Sequence, residues 1–221
     1  MGANKEIAFL LLVGGKSSRF GRDKGSFQFQ GKSLVSHQLE VLSNFENDIY
    51  IGAHSKQQVR KYLKKIDYEK ATAFILDDME VVRDENVRSP MIGIYSGSKE
   101  LRNIGYKSAF IISCDMPLIQ KDVIGLMLKS IEGYDLCMPK WKNGYLEPLF
   151  ALYSVDCAFK RAEICLTKGK YKLSNLFDEN WKINYISVEE TIKELDNSLL
   201  TFLNINRPTD LETLMKYSNN P

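Results

Sequence analysis

The chain is poor in residues that hold metals or form cross-links. It contains two histidines, His37 and His54, and four cysteines, none of which lies in a C-x-x-C pair. Zinc sites and disulfide frameworks are recognised by paired ligands at short spacing, so the sequence predicts neither. A reducing cytoplasm is therefore the expected setting.

A surplus of charge of one sign is also missing. The 221 residues carry 30 Lys and Arg against 28 Asp and Glu, which leaves a net charge of +2. Proteins that bind nucleic acids usually have a basic excess or a basic stripe, so we expect no nucleic-acid partner. Hydrophobic residues make up 44% of the chain, a share that is typical of one ordinary folded core.

Long hydrophobic segments are absent as well. The longest unbroken run, Ile7–Val13, is far too short to span a bilayer. It also lacks the basic flank and the small-residue cleavage site of a signal peptide. We therefore expect no membrane partner.

What the chain does have is an alternation of apolar runs and amphipathic segments. Residues 7–13 are apolar on both faces and end at Gly14-Gly15, which is typical of a central parallel strand. Further strands are predicted at residues 48–52, 73–76, 108–112 and 135–138, and helices at 34–45, 56–65, 91–101 and 121–131. This order predicts an α/β fold, a three-layer α/β/α sandwich with a Rossmann-like, mostly parallel sheet.

The pattern changes in the last third of the chain. Lys142-Asn143-Gly144 is a turn signal between two strand-like stretches, which predicts a hairpin or an antiparallel strand there. Helices at residues 156–166 and 209–217 are predicted to close the fold. The length favours a single domain over residues 1–221.

A basic glycine-rich loop follows the first predicted strand. Residues 14–24 contain Gly14, Gly15, two serines and four cations, among them Arg19 and Lys24. Glycines let backbone N–H groups approach a phosphate, and the cations can neutralise a polyphosphate. The simpler alternative is a solvated turn that happens to be basic. The loop does not match the G-x-G-x-x-G fingerprint. Gly31-Lys32-Ser33 resembles the end of a Walker A motif, but that motif would need a glycine in place of Ser26.

Asp115 follows the apolar run of residues 108–112. Because the carboxyl ends of parallel strands share one sheet edge, Asp115 is expected near the glycine-rich loop. A carboxylate there suits a hard cation that holds phosphate oxygens, which makes Asp115 the predicted metal ligand. The alternative is a turn aspartate before Pro117.

Several short motifs occur in a fixed order along the chain. They are Leu12–Lys24, Gly31–Leu34, Asp78 followed by Pro90–Gly93, Cys114–Pro117, Glu147–Tyr153 and Asn204–Leu211. Together they resemble the molybdenum cofactor guanylyltransferases of the MobA type, and the similarity extends over nearly the whole chain. The resemblance implies transfer of GMP from GTP to molybdopterin-bound molybdenum cofactor, forming molybdopterin guanine dinucleotide and pyrophosphate.

The resemblance also implies roles for individual residues. Lys24, Asp115 and Arg19 are expected to be catalytic, with Mg²⁺ on Asp115, although Mn²⁺ accepts the same oxygen ligands. Asp78 is expected to accept hydrogen bonds from guanine, but the adjacent Asp77 leaves this position open between the two. The full set expected at the nucleotide is Leu12, Val13, Gly14, Gly15, Lys24, Gly52, Asp78 and Asp115.

The second half of the chain is expected to bind the acceptor. The resemblance divides the domain into a nucleotide half at about residues 1–118 and a pterin half at about residues 119–221. Glu147, Asn204 and Asn206 are expected on the pterin side, and the alternative for the two asparagines is that they cap the last helix. The expected partners are GTP, molybdopterin, the protein that delivers it and the molybdoenzyme that receives the product.

Three positions depart from the family pattern, and two other functions remain open. Ser89 stands where the family usually has glycine, Gly52 stands where it has an asparagine, and Arg207 replaces a common threonine. The first alternative is a related enzyme that uses CTP on molybdopterin or on an alcohol phosphate. The second is a non-catalytic nucleotide-binding protein of the same fold, which the retention of both Lys24 and Asp115 disfavours.

Overall fold

The computed structural model describes residues 6–13, 25, 27–82, 84, 86–205 and 210. Its strands are β1 (Ile7–Leu12), β2 (Gln28–Phe29), β3 (Lys32–Ser33), β4 (Ile49–Ala53), β5 (Ala73–Leu76), β6 (Ser108–Ser113), β7 (Leu136–Lys140), β8 (Phe150–Ser154) and β9 (Ile183–Ser187). Its longer helices are α1 (Leu34–Leu42), α2 (Lys56–Tyr62), α3 (Pro90–Ile104), α4 (Lys121–Lys129) and α5 (Val155–Thr167).

Seven of the strands form one sheet in the order β5-β4-β1-β6-β8-β7-β9. Strand β8 runs antiparallel to both of its neighbours, and the other neighbouring pairs are parallel. The predicted mostly parallel sheet with an antiparallel strand in the C-terminal half is therefore confirmed. Strands β2 and β3 form a separate small hairpin.

Two hydrophobic cores lie on opposite faces of this sheet. Phe9 and Leu11 of β1 point into a core that also contains residues of α1 and α4, whereas Leu10 and Leu12 point into a core with α3 and α5. Because successive residues of a strand face opposite sides, a strand that is covered by helices on both faces must be apolar throughout. This explains the continuous apolar run that begins the fold.

Helix α3 lies unusually close to β1. A Cβ atom on Gly97 would lie 2.2 Å from Leu10 Cδ2, and one on Gly93 would lie 3.0 Å from Leu12 Cδ2. Residues four apart share a face of a helix, so the two glycines form a groove that receives the leucines. This approach places the first turn of α3 over the carboxyl end of β1.

The ends of the strands align at one edge of the sheet. Leu12 is in register with Gly52 of β4 and with Ser113 of β6, and Ala53 is in register with Leu76 of β5. The residues that directly follow β1, β4, β5 and β6 are thus brought to a single edge. This is the edge at which α/β folds bind their ligands.

Most predicted elements agree with the structure to within a few residues, and the differences have local causes. The first helix ends at Leu42 rather than residue 45, because the N–H groups of Asn44 and Phe45 donate to carbonyls three residues back rather than four. Strand β9 was not predicted, because its half-exposed residues carry only a weak apolar pattern. The helix predicted at residues 209–217 lies, apart from Asp210, outside the described residues. Among the described helices, none is long and apolar enough to cross a bilayer.

Candidate active site

A narrow cavity opens where β1, β4 and β5 end against the start of α3. It is lined by Leu12, Gly52, His54, Asp77, Arg88, Ser89, Pro90 and Gly93. The strand ends supply the first four residues, and the segment that leads into α3 supplies the others. Two of the predicted nucleotide-binding residues, Leu12 and Gly52, are therefore brought together here.

The floor of this cavity is Leu12, held between two glycines. A Cβ atom on Gly52 would lie 2.8 Å from Leu12 Cδ2, and one on Gly93 would lie 3.0 Å from the same atom. The absence of a side chain at residue 52 is thus required by the packing of Leu12. Val13 does not line the cavity, but two hydrogen bonds hold its backbone in place. Its N–H donates to the Gly52 carbonyl, and its carbonyl accepts from Gln58.

Asp77 and Asp78, which the sequence could not separate, have different surroundings. Asp77 lines the cavity, and burial raises the pKa of its carboxyl while the charges of His54 and Arg88 counteract part of that rise. Asp78 forms an ion pair with Lys99 at 2.6 Å, and the Lys99 ammonium holds the pKa of Asp78 below its ordinary value. The structure therefore brings Asp77, and not Asp78, to the cavity.

Ser89 occupies its position without strain. Its φ of −146° and ψ of 141° are extended values that any L-residue adopts, so no glycine is needed there. Its hydroxyl accepts a hydrogen bond from the N–H of Met91 and donates one to the carbonyl of Tyr171 at 2.6 Å. The serine caps α3 and ties the segment near residue 171 to the cavity wall.

The turn that carries Asp115 is fixed by a buried glutamine. Gln38, fully buried on α1, donates from Nε2 to the carbonyls of Ser113 and Met116 at 2.8 and 2.9 Å. The Asp115 carbonyl accepts from the N–H of Ile205 at 2.8 Å. Sequence analysis gave Gln38 no role, although a polar residue on the buried face of a predicted helix was the available signal.

Glu147 lies close enough to Asp115 for their charges to interact. It is 8% exposed and accepts a hydrogen bond from Trp141 Nε1 at 2.8 Å. Burial raises the pKa of Glu147, the Trp141 hydrogen bond lowers it, and the Asp115 charge raises it further. A second carboxylate predicted for the site therefore lies within electrostatic range of the first, although it comes from the segment between β7 and β8.

Asn204 lies between an aromatic cluster and the residue that contacts Asp115. The ring of Phe202 packs edge-on against Trp141 and Phe150, at centroid distances of 5.5 and 5.6 Å. Asn204 follows this anchor by two residues, and its amide donates to the Phe202 carbonyl at 3.3 Å. The neighbouring Ile205 makes the backbone hydrogen bond to Asp115 described above.

Five of the predicted site residues lie outside the described residues. They are Gly14, Gly15, Arg19, Lys24 and Asn206. Gly25, the residue after Lys24, is described, and it lies against Tyr62, Val35 and Cys114. A Cβ atom on Gly25 would be 3.3 Å from the Cys114 sulfur, so the chain after the loop passes directly beside the Asp115 turn.

The arrangement offers one group that could hold a cation. Asp115 is half-exposed at the end of β6, with the carboxylate of Glu147 nearby. Within the described residues no group of three or more acidic, His or Cys side chains forms a ready cation cage.

Comparison with known proteins identifies one family, both by a sequence model and by individual relatives. The sequence model described as a MobA-like NTP transferase domain matches residues 9–182. A "Probable molybdenum cofactor guanylyltransferase" of Pyrococcus horikoshii is 33% identical over 92% of this chain and 96% of its own. A protein of the same description from Natranaerobius thermophilus is 30% identical over 96% of each chain.

A solved structure agrees with these sequence matches. The crystal structure of molybdopterin-guanine dinucleotide biosynthesis protein A from Archaeoglobus fulgidus superposes with a TM-score of 0.77. The two chains are 28% identical, and the match covers 97% of this chain and 100% of the other. The likeness thus includes the sheet edge at which the cavity and Asp115 lie.

Proposed function

Because the chain belongs to the MobA-like NTP transferase family, we propose that it transfers GMP from GTP to molybdopterin-bound molybdenum cofactor. The products would be molybdopterin guanine dinucleotide and pyrophosphate. The observation that carries the proposal is the placement of Asp77 and Asp115 at the ends of β5 and β6, on the two sides of the β1 end from which the glycine-rich loop leaves.

Asp77 is the proposed reader of the base. Guanine presents two adjacent donors, N1–H and the 2-amino group, and an ionised carboxylate accepts from both. In a cavity with an apolar floor these hydrogen bonds discriminate between bases, since a base without the donors leaves a partly buried carboxylate unpaired. Asp77 replaces Asp78 in this role, because Asp78 is engaged by Lys99.

The catalytic groups act on the phosphates. An oxygen of the pterin phosphate attacks the α-phosphorus in line, the bond to the bridging oxygen breaks, and pyrophosphate leaves with the electron pair. The nucleophile is already an anion, so positioning and charge stabilisation matter more than a general base. Lys24 and Arg19 would offset negative charge on the departing phosphates, and the backbone of Gly14 and Gly15 would cradle them.

Asp115 is the proposed holder of Mg²⁺. The half-exposed carboxylate, with Glu147 beside it and phosphate oxygens completing the ligands, fits a hard cation with oxygen preference. When bound, Mg²⁺ supplies charge neutralisation at the α-phosphate. The role of Gln38 is to keep the Asp115 turn in place through two hydrogen bonds.

The acceptor is proposed to bind on the side of Glu147, Asn204 and Asn206. A groove beside this region is lined by Lys140, Trp141, Lys142, Tyr185 and Ser187, which offers cations and aromatic faces for an anionic pterin. Residues up to about 118 would thus form the nucleotide half, and those from about 119 the acceptor half. We propose a cytoplasmic reaction, with a protein that delivers molybdopterin and a molybdoenzyme that receives the product.

Nucleotide binding by calorimetry tests the proposal. With Mg²⁺ present, we expect GTP to bind more tightly than CTP, ATP or UTP. Asp77→Asn should weaken GTP binding by tenfold or more, since it replaces one acceptor oxygen with a donor amide and removes the charge. Asp78→Asn is the matched control, because the neighbouring carboxylate pairs with Lys99, and its effect should be small.

The other outcomes are equally informative. A preference for CTP would indicate a cytidylyltransferase instead. If none of the four nucleotides binds, the proposed function is wrong and only the fold assignment stands. Weakening by Asp78→Asn but not by Asp77→Asn would reverse the assignment of the base reader.

A further inference from the structure

Helix α3 contains a buried serine that the proposed mechanism does not use. Ser96 is 2% exposed and lies in the interior of the helix, where serine is a weaker helix former than alanine because its hydroxyl competes for backbone hydrogen bonds. Burying a hydroxyl costs free energy unless the hydroxyl is hydrogen-bonded. The partners of this hydroxyl therefore indicate what the serine does.

The Ser96 hydroxyl acts as a donor and as an acceptor at once. It donates to the carbonyl of Ile92, four residues earlier in the helix, at 2.8 Å. It accepts from the N–H of Asp78 at 2.7 Å. Because the hydroxyl proton is directed to the helix carbonyl, the oxygen lone pairs remain for the segment that follows β5. The serine thus joins α3 to the residue directly after Asp77.

The backbone of Asp77 is held on both sides by hydrogen bonds to different elements. Its own N–H donates to the carbonyl of Ala53 in β4 at 2.9 Å, and the next N–H along the chain is the one that Ser96 accepts. Peptide groups are planar, so fixing the two groups that flank a residue fixes its φ and ψ. The direction in which the Asp77 side chain leaves its Cα is therefore set by β4 on one side and by α3 on the other.

The carboxylate of Asp77 also lies against the first turns of α3. A Cβ atom on Gly93 would be 3.7 Å from Asp77 Oδ1, and both residues line the cavity. Gly93 precedes Ser96 by three residues, so the two lie on the same face of the helix. The carboxylate and the peptide group that supports it are thus both placed by one face of α3.

We infer that Ser96 is a positioning residue for base recognition, because its hydroxyl holds the peptide between Asp77 and Asp78 so that the Asp77 carboxylate faces the donor edge of guanine. This inference rests on the proposed function and assigns selectivity to a side chain that does not touch the base. Hydrogen bonds weaken steeply as their angles depart from linearity, so a small rotation of residue 77 would weaken both contacts to guanine at once.

Calorimetry with GTP and inosine triphosphate tests the inference. Inosine triphosphate lacks the 2-amino group, so the ratio of the two affinities reports how well the carboxylate is placed. We expect the wild type to bind GTP about tenfold more tightly, as one well-placed base contact implies. Ser96→Ala should bring this ratio below about threefold, because the contacts lose their geometry. Ser96→Thr keeps a hydroxyl on the same carbon and should restore the ratio.

Ser98→Ala is the matched control. Ser98 is a fully buried serine on the same helix, and its hydroxyl has no hydrogen-bond partner among the described residues. The same substitution there removes the same atom without releasing another segment, so the affinity ratio should stay as in the wild type. Asp78→Asn should keep the ratio too, because it retains the backbone N–H that donates to Ser96.

A double-mutant cycle shows whether Ser96 acts through Asp77. Asp77→Asn alone should remove most of the preference for GTP over inosine triphosphate. Adding Ser96→Ala to it should change the affinity ratio by less than about twofold, since the group that Ser96 positions is already altered. A further loss as large as that in the wild-type background would mean that Ser96 acts independently, which would overturn the inference.

The remaining outcomes separate this inference from the proposed function. If Ser96→Ala lowers the unfolding midpoint but keeps the wild-type affinity ratio, the serine is merely structural and guanylyl transfer stands. Equal loss of the ratio in Ser96→Thr would assign the effect to packing and also overturn the inference. The same holds for a wild type that prefers GTP to CTP, ATP and UTP but not to inosine triphosphate. A wild type with no preference for GTP over those three nucleotides would overturn both.

Discussion

On the proposed nucleotide side of the site, the geometry depends on the close packing of Leu12 against backbone that carries no side chain. Gly52 and Gly93 enclose Leu12 from β4 and α3, and Asp77 follows the neighbouring strand. On the proposed acceptor side, Glu147 and the segment around Asn204 are held by edge-on aromatic contacts and by single hydrogen bonds from Trp141 and Ile205. The first region tolerates little added volume, whereas the second depends on particular polar contacts.

The difference follows from how each region is made. The nucleotide side consists of successive strand-to-helix connections that align because their strands are parallel neighbours. The acceptor side joins residues far apart in the chain, since Asp115 contacts Ile205 and Gln120 contacts Thr201. Rigid packing suits a flat base that must be distinguished from similar bases, and adjustable polar contacts suit an acceptor of several chemical parts.

Removal of the Asp115 carboxylate, which lies between the two regions, should have the largest effect on transfer. Asp115→Ala is expected to abolish transfer, because the proposed cation loses its protein ligand. The backbone hydrogen bond from Ile205 to residue 115 survives the substitution, so the thermal unfolding midpoint should change little. Transfer of GMP, followed by pyrophosphate release, is the measurement. Turnover near that of the wild type would contradict the site assignment.

Lys24→Ala should lower the rate about a hundredfold, as the loss of one preorganised charge-stabilising donor does. The affinity for GTP should fall less than the rate, since the charge on the leaving pyrophosphate develops during the reaction. Steady-state kinetics with both substrates would separate these effects. A change confined to KM would make Lys24 a binding residue only.

Gly93→Ala tests the close packing on the nucleotide side. The added methyl would crowd Leu12 and come within 3.7 Å of Asp77 Oδ1, so GTP binding should weaken by about tenfold. Stability should fall only slightly, because the flexible end of a leucine can shift by a few tenths of an ångström. Calorimetry with GTP and a thermal melt are the two measurements.

Two other helical glycines provide controls for that test. Gly97→Ala would place a methyl 2.2 Å from Leu10 and should cost about 1–3 kcal/mol of stability, with the base contacts intact. Gly125→Ala on α4 meets nothing within 4 Å and should be neutral or stabilising. Equal effects of all three on GTP binding would argue against a close-packed base site.

Trp141→Phe tests the polar contacts on the acceptor side and should have the smallest effect. It keeps an aromatic ring near Phe202 but removes the hydrogen bond to Glu147, so the pKa of Glu147 should rise. We expect the KM for the acceptor to increase by a few fold while the affinity for GTP stays unchanged. An effect on GTP binding instead would show that the two sides are not separate.

The nucleotide side was also the more predictable of the two. Apolar runs that end in glycine or aspartate predicted β1, β6 and the position of Asp115 at the sheet edge directly, because a parallel buried strand and its end leave a local signature. The role of Leu12 was predicted only through the family resemblance. The choice between Asp77 and Asp78 was not local. It depended on Lys99, which lies 21 residues further along and engages Asp78 from a helix.

The acceptor side was predicted mainly through resemblance to a family. Glu147 and Asn204 carry no periodic signal, and their placement beside Asp115 follows from the contacts of Trp141 and Ile205. Strand β9 was missed because a half-exposed strand at the sheet edge has little need of apolar residues.

The amino-acid sequence by itself determined the alternation of strands and helices, the parallel sheet and the edge at which the chemistry lies. Those features arise from residues that are close in the chain and from the burial that each element needs. Tertiary structure alone decided which aspartate enters the cavity and why residue 52 has no side chain. Each of these depends on atoms from separate elements approaching within a few ångströms, and no pattern within a single element specifies such a distance.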